Sequence, residues 1–305
     1  MGGTSAQIMR SDTDTSIAFV SCGPDLCRVR CSLSDPSILE IDSIWFTNRA
    51  NPGYLQSAVT AMYQLPFIRE LDSFGRNLDG FLFAVAGDQL LFSQLDSDVR
   101  WTSHDVPSQF QHDSRAVPRR LVTGAKPTNV VYMQSLRRLV VSTVEAKEER
   151  GPPNGYRVLH STLKLLNVHD EKPLDEPDLK QEEGDAIHDR VVVAQYPLKH
   201  AERVYSLVEW PFVDHQGKKH CLIIVGTGIT VGSGKETGRR LIFNAGSRGS
   251  KLVLQKESSY DHPVYCVAMW GSDSTVSVIG KTLSLDYFDS QAGRYVPIPQ
   301  LCQKY

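Results

Sequence analysis

The stretch LIIVGTGITVGSGKETGRRLIF, residues 222–243, contains the residue types that could hold a nucleotide phosphate. A Walker A loop has Gly-x-x-x-x-Gly-Lys followed by Ser or Thr, because backbone amides bind the phosphates and the hydroxyl binds magnesium. Alignment on Gly234-Lys235 puts Ile229 at the first glycine and Glu236 at the hydroxyl position. A carboxylate there would repel the phosphates, so this template fails.

The dinucleotide-binding fingerprint fails in the same stretch. Starting at Gly226-Thr227-Gly228, it meets Val231 where its third glycine belongs, and RRLIF then predicts a strand instead of a phosphate-facing helix. The stretch is better interpreted as one strand, a long mobile loop over GITVGSGKETG and a returning strand, with glycines that provide turn freedom. A nucleotide-binding enzyme that uses residues 226–239 is a distant alternative.

Other chemically capable residues form no recognisable site. The cysteines Cys22, Cys27 and Cys31 alternate with other residues in a predicted hairpin, without the C-x-x-C pair or nearby histidine of a zinc site. There is no Gly-x-Ser-x-Gly elbow and no His-Glu-x-x-His. We therefore expect no catalytic residue, no metal ligand and no cofactor.

Two smaller groups contain residue types that could do the same chemistry. His215 and His220 flank a turn beside Cys221, but three mixed residues without a fourth ligand are weak grounds for a metal. Asp286 and Asp289 are predicted at a strand end, where acidic residues more often stabilise turns than transfer protons.

The composition indicates a globular chain without an electrostatic footprint for nucleic acid. Its 305 residues include 33 basic and 35 acidic side chains, and 41% are hydrophobic. No apolar run approaches the roughly 20 residues that cross a bilayer, and the first residues lack the apolar core of a secretory signal. Basic pairs such as Arg137-Arg138 are interpreted as solvated turn residues.

The elements that would position these residues are short strands. Segments of mostly four to nine residues, rich in Val, Ile, Leu, Tyr and Phe, alternate with turn signals such as Gly-Asp and Asn-Ala-Gly. This pattern predicts an all-β fold, either a sandwich, a barrel or a propeller. GYLQSAVTAMYQL is the one plausible helix, and its second half is better predicted as a strand. Residues 104–127 are interpreted as a connector, and acidic residues 171–186 as a disordered surface loop.

The order of the strands after residue 118 resembles one family. Val225-Gly226-Thr227 at a strand end, a variable loop and then Gly238-Arg239 opening the next strand are similar to the motif of the large multi-propeller scaffolds. These include the large subunit of the UV-damaged DNA-binding protein, the cleavage-and-polyadenylation-factor subunit and the large propeller subunit of splicing factor 3b. Arg240 departs from the family, which usually has an apolar residue there.

This resemblance implies β-propeller blades: the closing blades of one propeller over residues 1–115, and the first, incomplete part of a C-terminal propeller over 116–305. It implies a non-enzymatic nuclear scaffold that binds proteins through loops such as 145–160, 171–186 and 228–238. Any nucleic-acid contact would be indirect, and we expect neither a membrane nor a small-molecule substrate.

The resemblance leaves two kinds of complex open. The first is a damaged-DNA-binding-like adaptor of a cullin ubiquitin ligase, acting in DNA repair. The second is a scaffold in mRNA 3'-end cleavage and polyadenylation or in splicing.

Overall fold

The structure is a computed structural model, and it describes sixteen segments of the chain. They are residues 5–10, 16–22, 25–31, 39–44, 59–64, 81–94, 119–121, 123–149, 156–167, 191–213, 216–230, 234–246, 248–271, 274–289, 294–297 and 303–304. The chain divides into two compact units, Met1–Val122 and Thr123–Tyr305. The boundary predicted from sequence lay at 115/116. All-β architecture, the coarser part of the fold prediction, is confirmed, because antiparallel sheets account for both units.

The first unit contains two four-stranded antiparallel sheets. Sheet I consists of β1 (Ser5–Arg10), β2 (Ser16–Cys22), β3 (Asp25–Cys31) and β4 (Leu39–Ile44). Sheet II consists of β5 (Val59–Gln64), β6 (Phe81–Ala86), β7 (Gln89–Gln94) and β8 (Arg119–Leu121). In both sheets each strand pairs with the next one along the chain, so the pairings are local in sequence.

Two sequence predictions can be checked in this unit. The cysteine hairpin is confirmed, since Cys22 pairs with Asp25 across the turn between β2 and β3. The second half of the helix candidate is the strand β5, as predicted. The core of sheet II lies in β6, where the side chains from Leu82 to Ala86 are all buried because both faces of the strand are covered. The connector predicted over 104–127 lies mostly outside the described residues.

The second unit contains three sheets. Sheet III consists of β9 (Lys126–Met133), β10 (Arg138–Glu149), β11 (Tyr156–Leu166) and β12 (Val192–Pro197). Sheet IV consists of β13 (Glu202–Val213), β14 (Lys219–Thr230), β15 (Glu236–Asn244) and β16 (Val253–Tyr260). Sheet V consists of β17 (Val264–Trp270), β18 (Ser274–Ile279), β19 (Thr282–Asp289) and β20 (Arg294–Pro297), with β21 (Gln303–Lys304) paired to β19.

The sheets of the second unit stack in chain order through their first strands. β13 contacts β9 of the preceding sheet and β17 of the following one. Between sheets IV and V, Trp210 packs with its ring centroid 5.0 Å from that of Phe288, beside Ile224, Ile242 and Val267. On the other face of sheet IV, the rings of Tyr196 and Phe243 meet edge to face at 4.8 Å. Sheet IV is therefore covered on both faces, and apolar burial is the main stabilising term.

A β-bulge in β13 changes the face of sheet IV to which the side chains after it point. Val204 lies opposite Thr227 but Ser206 lies opposite Gly226, so Tyr205 is the extra residue. Before the bulge, Glu202 and Val204 share the sheet face of Thr227. After it, Ser206 points to sheet V, where its hydroxyl is 3.0 Å from the Val267 amide that donates to it.

Candidate functional site

The five residues of the predicted motif come together in the hairpin of β14 and β15. Val225, Gly226 and Thr227 lie in β14, and Gly238 and Arg239 lie in β15. Thr227 is directly opposite Arg239 in the register, and all five residues are buried. The strands of this hairpin were predicted, and the structure confirms them.

The prediction of a long loop over residues 228–238 between these strands is wrong. Paired residues extend to Thr230 and resume at Glu236, so only residues 231–235 connect the strands. The interpretation that the glycines provide turn freedom is wrong for three of them, because Gly226, Gly228 and Gly238 lie inside the paired strands. Of the glycines in this stretch that the structure describes, Gly234 has the positive φ of a turn, at 75°.

The strand glycines are explained by the close approach of β17 and of the two residues before it. A Cβ on Gly226 would lie 2.7 Å from the carbonyl oxygen of Val264. A Cβ on Gly238 would lie 2.6 Å from both the carbonyl oxygen of His262 and the Cα of Pro263. Backbone atoms cannot move aside as a side chain can, so any larger residue would push the two sheets apart.

The Arg239 cluster consists of Arg239, Thr227, Glu202, Glu257 and Lys199. The Glu202 side chain is fully buried, and its Oε1 accepts hydrogen bonds from Thr227 Oγ1 at 2.5 Å and from Arg239 Nε at 2.8 Å. Arg239 also pairs with the second oxygen of Glu202. Two parallel contacts from one guanidinium give the strong bidentate form of a charge-assisted hydrogen bond.

The outer half of the Arg239 cluster reaches solvent. Glu257 Oε2 lies 2.9 Å from Arg239 Nη1, and its Oε1 lies 2.8 Å from Lys199 Nζ. The hydrogen bonds from Lys199 and then Arg239 hold the pKa of Glu257 below its ordinary value. The Glu257 side chain is 32% exposed, so water screens this part of the network more than the Glu202 part.

The Arg240 cluster lies on the opposite face of sheet IV and consists of Arg240, Asp286, Thr275, Ser277 and Tyr260. Arg240 Nη1 is 2.5 Å from Asp286 Oδ2 and 3.4 Å from the hydroxyl oxygens of Thr275 and Ser277. The guanidinium carbon lies 5.8 Å from the centroid of the Tyr260 ring, within cation–π range. The cluster therefore ties β15 of sheet IV to β18 and β19 of sheet V.

The placement predicted for Asp286 is wrong. Asp286 lies within β19, where its side chain is buried, and it serves as the counter-ion of Arg240 instead of stabilising a turn at the strand end. A single charged side chain at an inward strand position requires a partner, so Arg240 is stable there because Asp286 neutralises it. The burial of Arg240 and the burial of Asp286 are thus one feature.

The two clusters are built to hold the sheets in register. In both, each buried carboxylate is paired with an arginine and also accepts a hydroxyl hydrogen bond, from Thr227 to Glu202 and from Ser284 to Asp286. These contacts hold each carboxylate in one position between the strands that it joins. The arrangement supports rigidity.

The other candidate ligands are not brought together. Within the described ranges no group of three His, Cys, Asp or Glu side chains could hold a metal ion. Cys27, Cys221 and Cys266 are free thiols. His220 packs near Phe212, with 6.0 Å between the ring centroids, and His215 lies outside the described residues. In the part of the chain that the structure describes, no helix is long and apolar enough to cross a membrane.

Beside the end of the β14–β15 hairpin, Tyr265 of β17 is an exposed aromatic side chain. Tyr205, the bulge residue, and Tyr265 have ring centroids 5.2 Å apart, and the Tyr265 hydroxyl donates to Glu236 Oε2 at 3.2 Å. Tyr265 is 41% exposed. Burial and the adjacent Glu236 carboxylate raise its pKa. Rigid tyrosines on a fixed framework are common at protein interfaces.

The three segments predicted as contact loops differ in where the structure places them. Residues 145–160 belong largely to β10 and β11, which pair as far as Glu149 opposite Tyr156. Residues 228–238 form the end of the β14–β15 hairpin. Residues 171–186 lie outside the described residues.

Sequence reasoning missed Glu202, and it missed the roles of Glu257 and Asp286 as counter-ions of the arginines. The signal that was available is the uninterrupted apolar run Leu241-Ile242-Phe243, which follows the two arginines in the same strand. A run without alternation predicts a strand that is buried on both faces. The chain matches no known protein-family model, and no curated protein sequence matches it significantly.

Proposed function

We propose that this protein is a non-enzymatic interaction scaffold whose sheets are blades of the β-propeller type. The observation that carries the proposal is the stacking of sheets III, IV and V through β9, β13 and β17, their first strands. In a propeller each blade is a four-stranded meander, and its first strand lies nearest the ring axis. Consecutive meanders packed in this way fit that arrangement.

The buried clusters support a framework role. The Arg239 cluster fixes β13, β14, β15 and β16 within sheet IV, and the Arg240 cluster fixes sheet IV against sheet V. A scaffold requires such rigidity, because surface groups bind well when their geometry is set before the partner arrives.

We propose that the partners are proteins of a nuclear complex and that the end of the β14–β15 hairpin contributes to binding them. The resemblance of Val225-Gly226-Thr227 and Gly238-Arg239 to the multi-propeller scaffold motif supports this choice, and it favours a cullin ubiquitin ligase adaptor in DNA repair. Tyr265 and Glu236 supply the exposed aromatic and acidic groups of the contact.

The test is capture of partners from nuclear extract with the tagged full chain, followed by quantitative mass spectrometry. A Tyr265→Ser variant is compared with Val253→Ser, a matched control because the two side chains are 41% and 40% exposed. We expect enrichment of cullin-ligase components and at least a several-fold loss for Tyr265→Ser alone.

Other outcomes reassign or overturn the proposal. Enrichment of polyadenylation or splicing subunits would move the protein to RNA processing and keep the scaffold role. Enrichment of neither class would overturn it. Saturable binding of magnesium-ATP in a calorimetric titration would instead favour the nucleotide-binding alternative at residues 226–239.

A further inference from the structure

Basic side chains collect at one end of sheets III and IV. The β13–β14 and β15–β16 turns lie at the same end of sheet IV, since Leu222 pairs with Asn244. The β9–β10 turn of sheet III meets them there, because a Cβ on Gly249 would lie 2.9 Å from Cγ of Arg138. We define the basic end as the basic residues in or next to these three turns: Arg137, Arg138, Lys218, Lys219, Arg248 and Lys251.

Arg138 is a half-buried arginine whose contacts are to neutral groups. Its Nη1 donates to Asn167 Oδ1 at 2.8 Å and lies 3.4 Å from the carbonyl oxygen of Arg137. Its Nε is buried and has no hydrogen-bond partner among the residues that the structure describes. Arg239 and Arg240, by contrast, each pair with a buried carboxylate. A guanidinium that is withdrawn from water is stabilised by an anion, and Arg138 lacks the anion that the other two arginines have.

Glu209 is the acidic side chain that contacts the β9–β10 turn, and it is already engaged. Its Oε2 accepts from the Gln134 amide at 3.2 Å. Its Oε1 accepts from the Ser135 amide at 3.3 Å and from the Ser135 hydroxyl at 2.8 Å. Glu209 therefore fixes the position of this turn on sheet IV and forms no ion pair with the basic end within the described part of the chain.

Other acidic residues near this end are balanced or lie outside the described residues. In sheet V, Asp289 is opposite Arg294 in the register, so these two charges are balanced. Asp214 in the β13–β14 turn lies outside the described residues, as does the acidic stretch 171–186 between β11 and β12. The far end of sheet III differs, because it carries both signs of charge, including the ion pair of Lys147 with Glu145 at 3.4 Å.

We propose that the basic end binds an acidic peptide segment of a partner protein. An arginine holds both oxygens of one carboxylate, which is the anion that Arg138 lacks. Lys218, Lys219, Arg248 and Lys251 are exposed, so they attract further acidic side chains and set the orientation of the segment. A short peptide covers the basic end alone, whereas a long nucleic acid would also meet the remainder of a chain whose net charge is −2.

This site is separate from the contact proposed at Tyr265. The basic end lies where β15 ends, and the β14–β15 hairpin with Glu236 lies at the other end of the same strands. The test below uses a synthetic peptide, so a chain that captures no nuclear complex can still bind the peptide. Failure of one proposal is therefore distinguishable from failure of the other.

The test is fluorescence anisotropy of a labelled peptide of repeated Glu-Glu-Gly units, titrated with the full chain. At about 0.1 M salt, exposed charges more than about 10 Å apart are largely screened. We expect saturable binding that Arg248→Glu weakens about 10-fold, because the substitution exchanges an attraction for a repulsion. Lys126→Glu is the matched control, since Lys126 is exposed, begins β9 at the far end of sheet III and changes the net charge equally. It should change the dissociation constant by less than about 2-fold.

The fold and the identity of the occupant are checked with further variants. Arg248 is exposed in a turn, so Arg248→Glu should leave the thermal melt unchanged, and Lys251→Glu should weaken binding in the same way. A chain in which the acids of residues 171–186 are replaced by their amides tests for competition. If the peptide binds to that chain alone, the protein's own acidic segment is the occupant, which overturns the proposed partner.

Three other results also overturn the proposal. They are no binding to either chain, binding that Arg248→Glu does not weaken, and tighter binding of a single-stranded DNA oligonucleotide than of the acidic peptide.

Discussion

Arg239 and Arg240 are adjacent in β15, but Arg239 stabilises the strand pairing within sheet IV and Arg240 stabilises the packing of sheet IV on sheet V. Arg239 finds its carboxylates, Glu202 and Glu257, in strands of its own sheet. Arg240 finds Asp286 in the neighbouring sheet. A strand sends successive side chains to opposite faces, so one dipeptide fixes both the internal register of sheet IV and its docking on sheet V.

The two clusters also differ in how much they depend on one acid. Arg239 keeps a second carboxylate if Glu202 is lost, and its network opens to solvent through Glu257 and Lys199. Arg240 is closed off from water and has Asp286 as its salt-bridge partner among the described residues. We therefore expect the docking of the two sheets to be more sensitive to a single substitution than the register within sheet IV.

The largest expected effect comes from Asp286→Ala. Removing one partner of a buried ion pair leaves an uncompensated charge, which costs about 3–5 kcal/mol of the free energy of unfolding. Urea denaturation measures this loss. The exposed Asp261→Ala is the control and should change stability by less than about 0.5 kcal/mol.

The double variant Arg240→Met/Asp286→Leu tests how much of the loss in Asp286→Ala comes from leaving the charge of Arg240 buried without a partner. Apolar replacement of both partners is often neutral, so it should recover most of the stability lost in Asp286→Ala. If the double variant is no more stable than the single one, the hydroxyl contacts of Arg240 to Thr275 and Ser277 contribute more than the ion pair.

A smaller effect is expected for Gly238→Ala, which tests the close approach of the sheets without changing a charge. The new methyl group would lie 2.6 Å from backbone atoms of His262 and Pro263. Overpacking of this kind costs about 1–3 kcal/mol. Ser259→Ala, at an exposed position of β16, should be close to neutral, and equal melting temperatures for both variants would contradict the explanation given for the glycine.

The smallest effect is the pH dependence that Glu257 contributes. Its pKa is lowered in the folded state, so its stabilisation is present above the unfolded value of about 4.3 and is lost as the pH falls through the folded pKa. Glu257→Gln should therefore lower the melting temperature slightly at pH 6. The difference from the wild type should start to shrink below about pH 4.3 and disappear once the pH is below the lowered folded pKa. A constant difference between the two melting curves at every pH would assign the effect to packing.

Much of the fold was predictable because its signals are local. The β14–β15 hairpin followed from apolar runs separated by glycines, and the cysteine hairpin followed from alternation around a Gly-Pro-Asp turn. Thr227 and Arg239, which the sequence analysis quoted for a family resemblance, lie opposite each other in the register, but the contacts that join them were not predicted.

The ion pairs and the role of the strand glycines could not be predicted, because they depend on residues that are distant in sequence. Arg240 and Asp286 are 46 residues apart, and Glu202 and Arg239 are 37 apart, so spacing could not connect them. The strand glycines were misassigned to turns because the reason for Gly238 lies in the backbone of His262 and Pro263, in the turn before β17. Close approach of two backbones leaves no composition signal other than the glycine itself.

The bulge at Tyr205 has a consequence for which changes of chain length β13 can tolerate. The strand has two halves of opposite phase: Glu202 and Val204 belong to one face, and Ser206, Val208 and Trp210 supply the other. Deleting Tyr205 would restore regular alternation and leave both halves on their present faces, because Val204 and Ser206 already lie opposite the adjacent residues Thr227 and Gly226. A one-residue deletion elsewhere in β13 that keeps this bulge would instead turn part of the strand over and expose Trp210 or withdraw Glu202 from Arg239, so we expect β13 to tolerate a change of length at Tyr205 better than within either half.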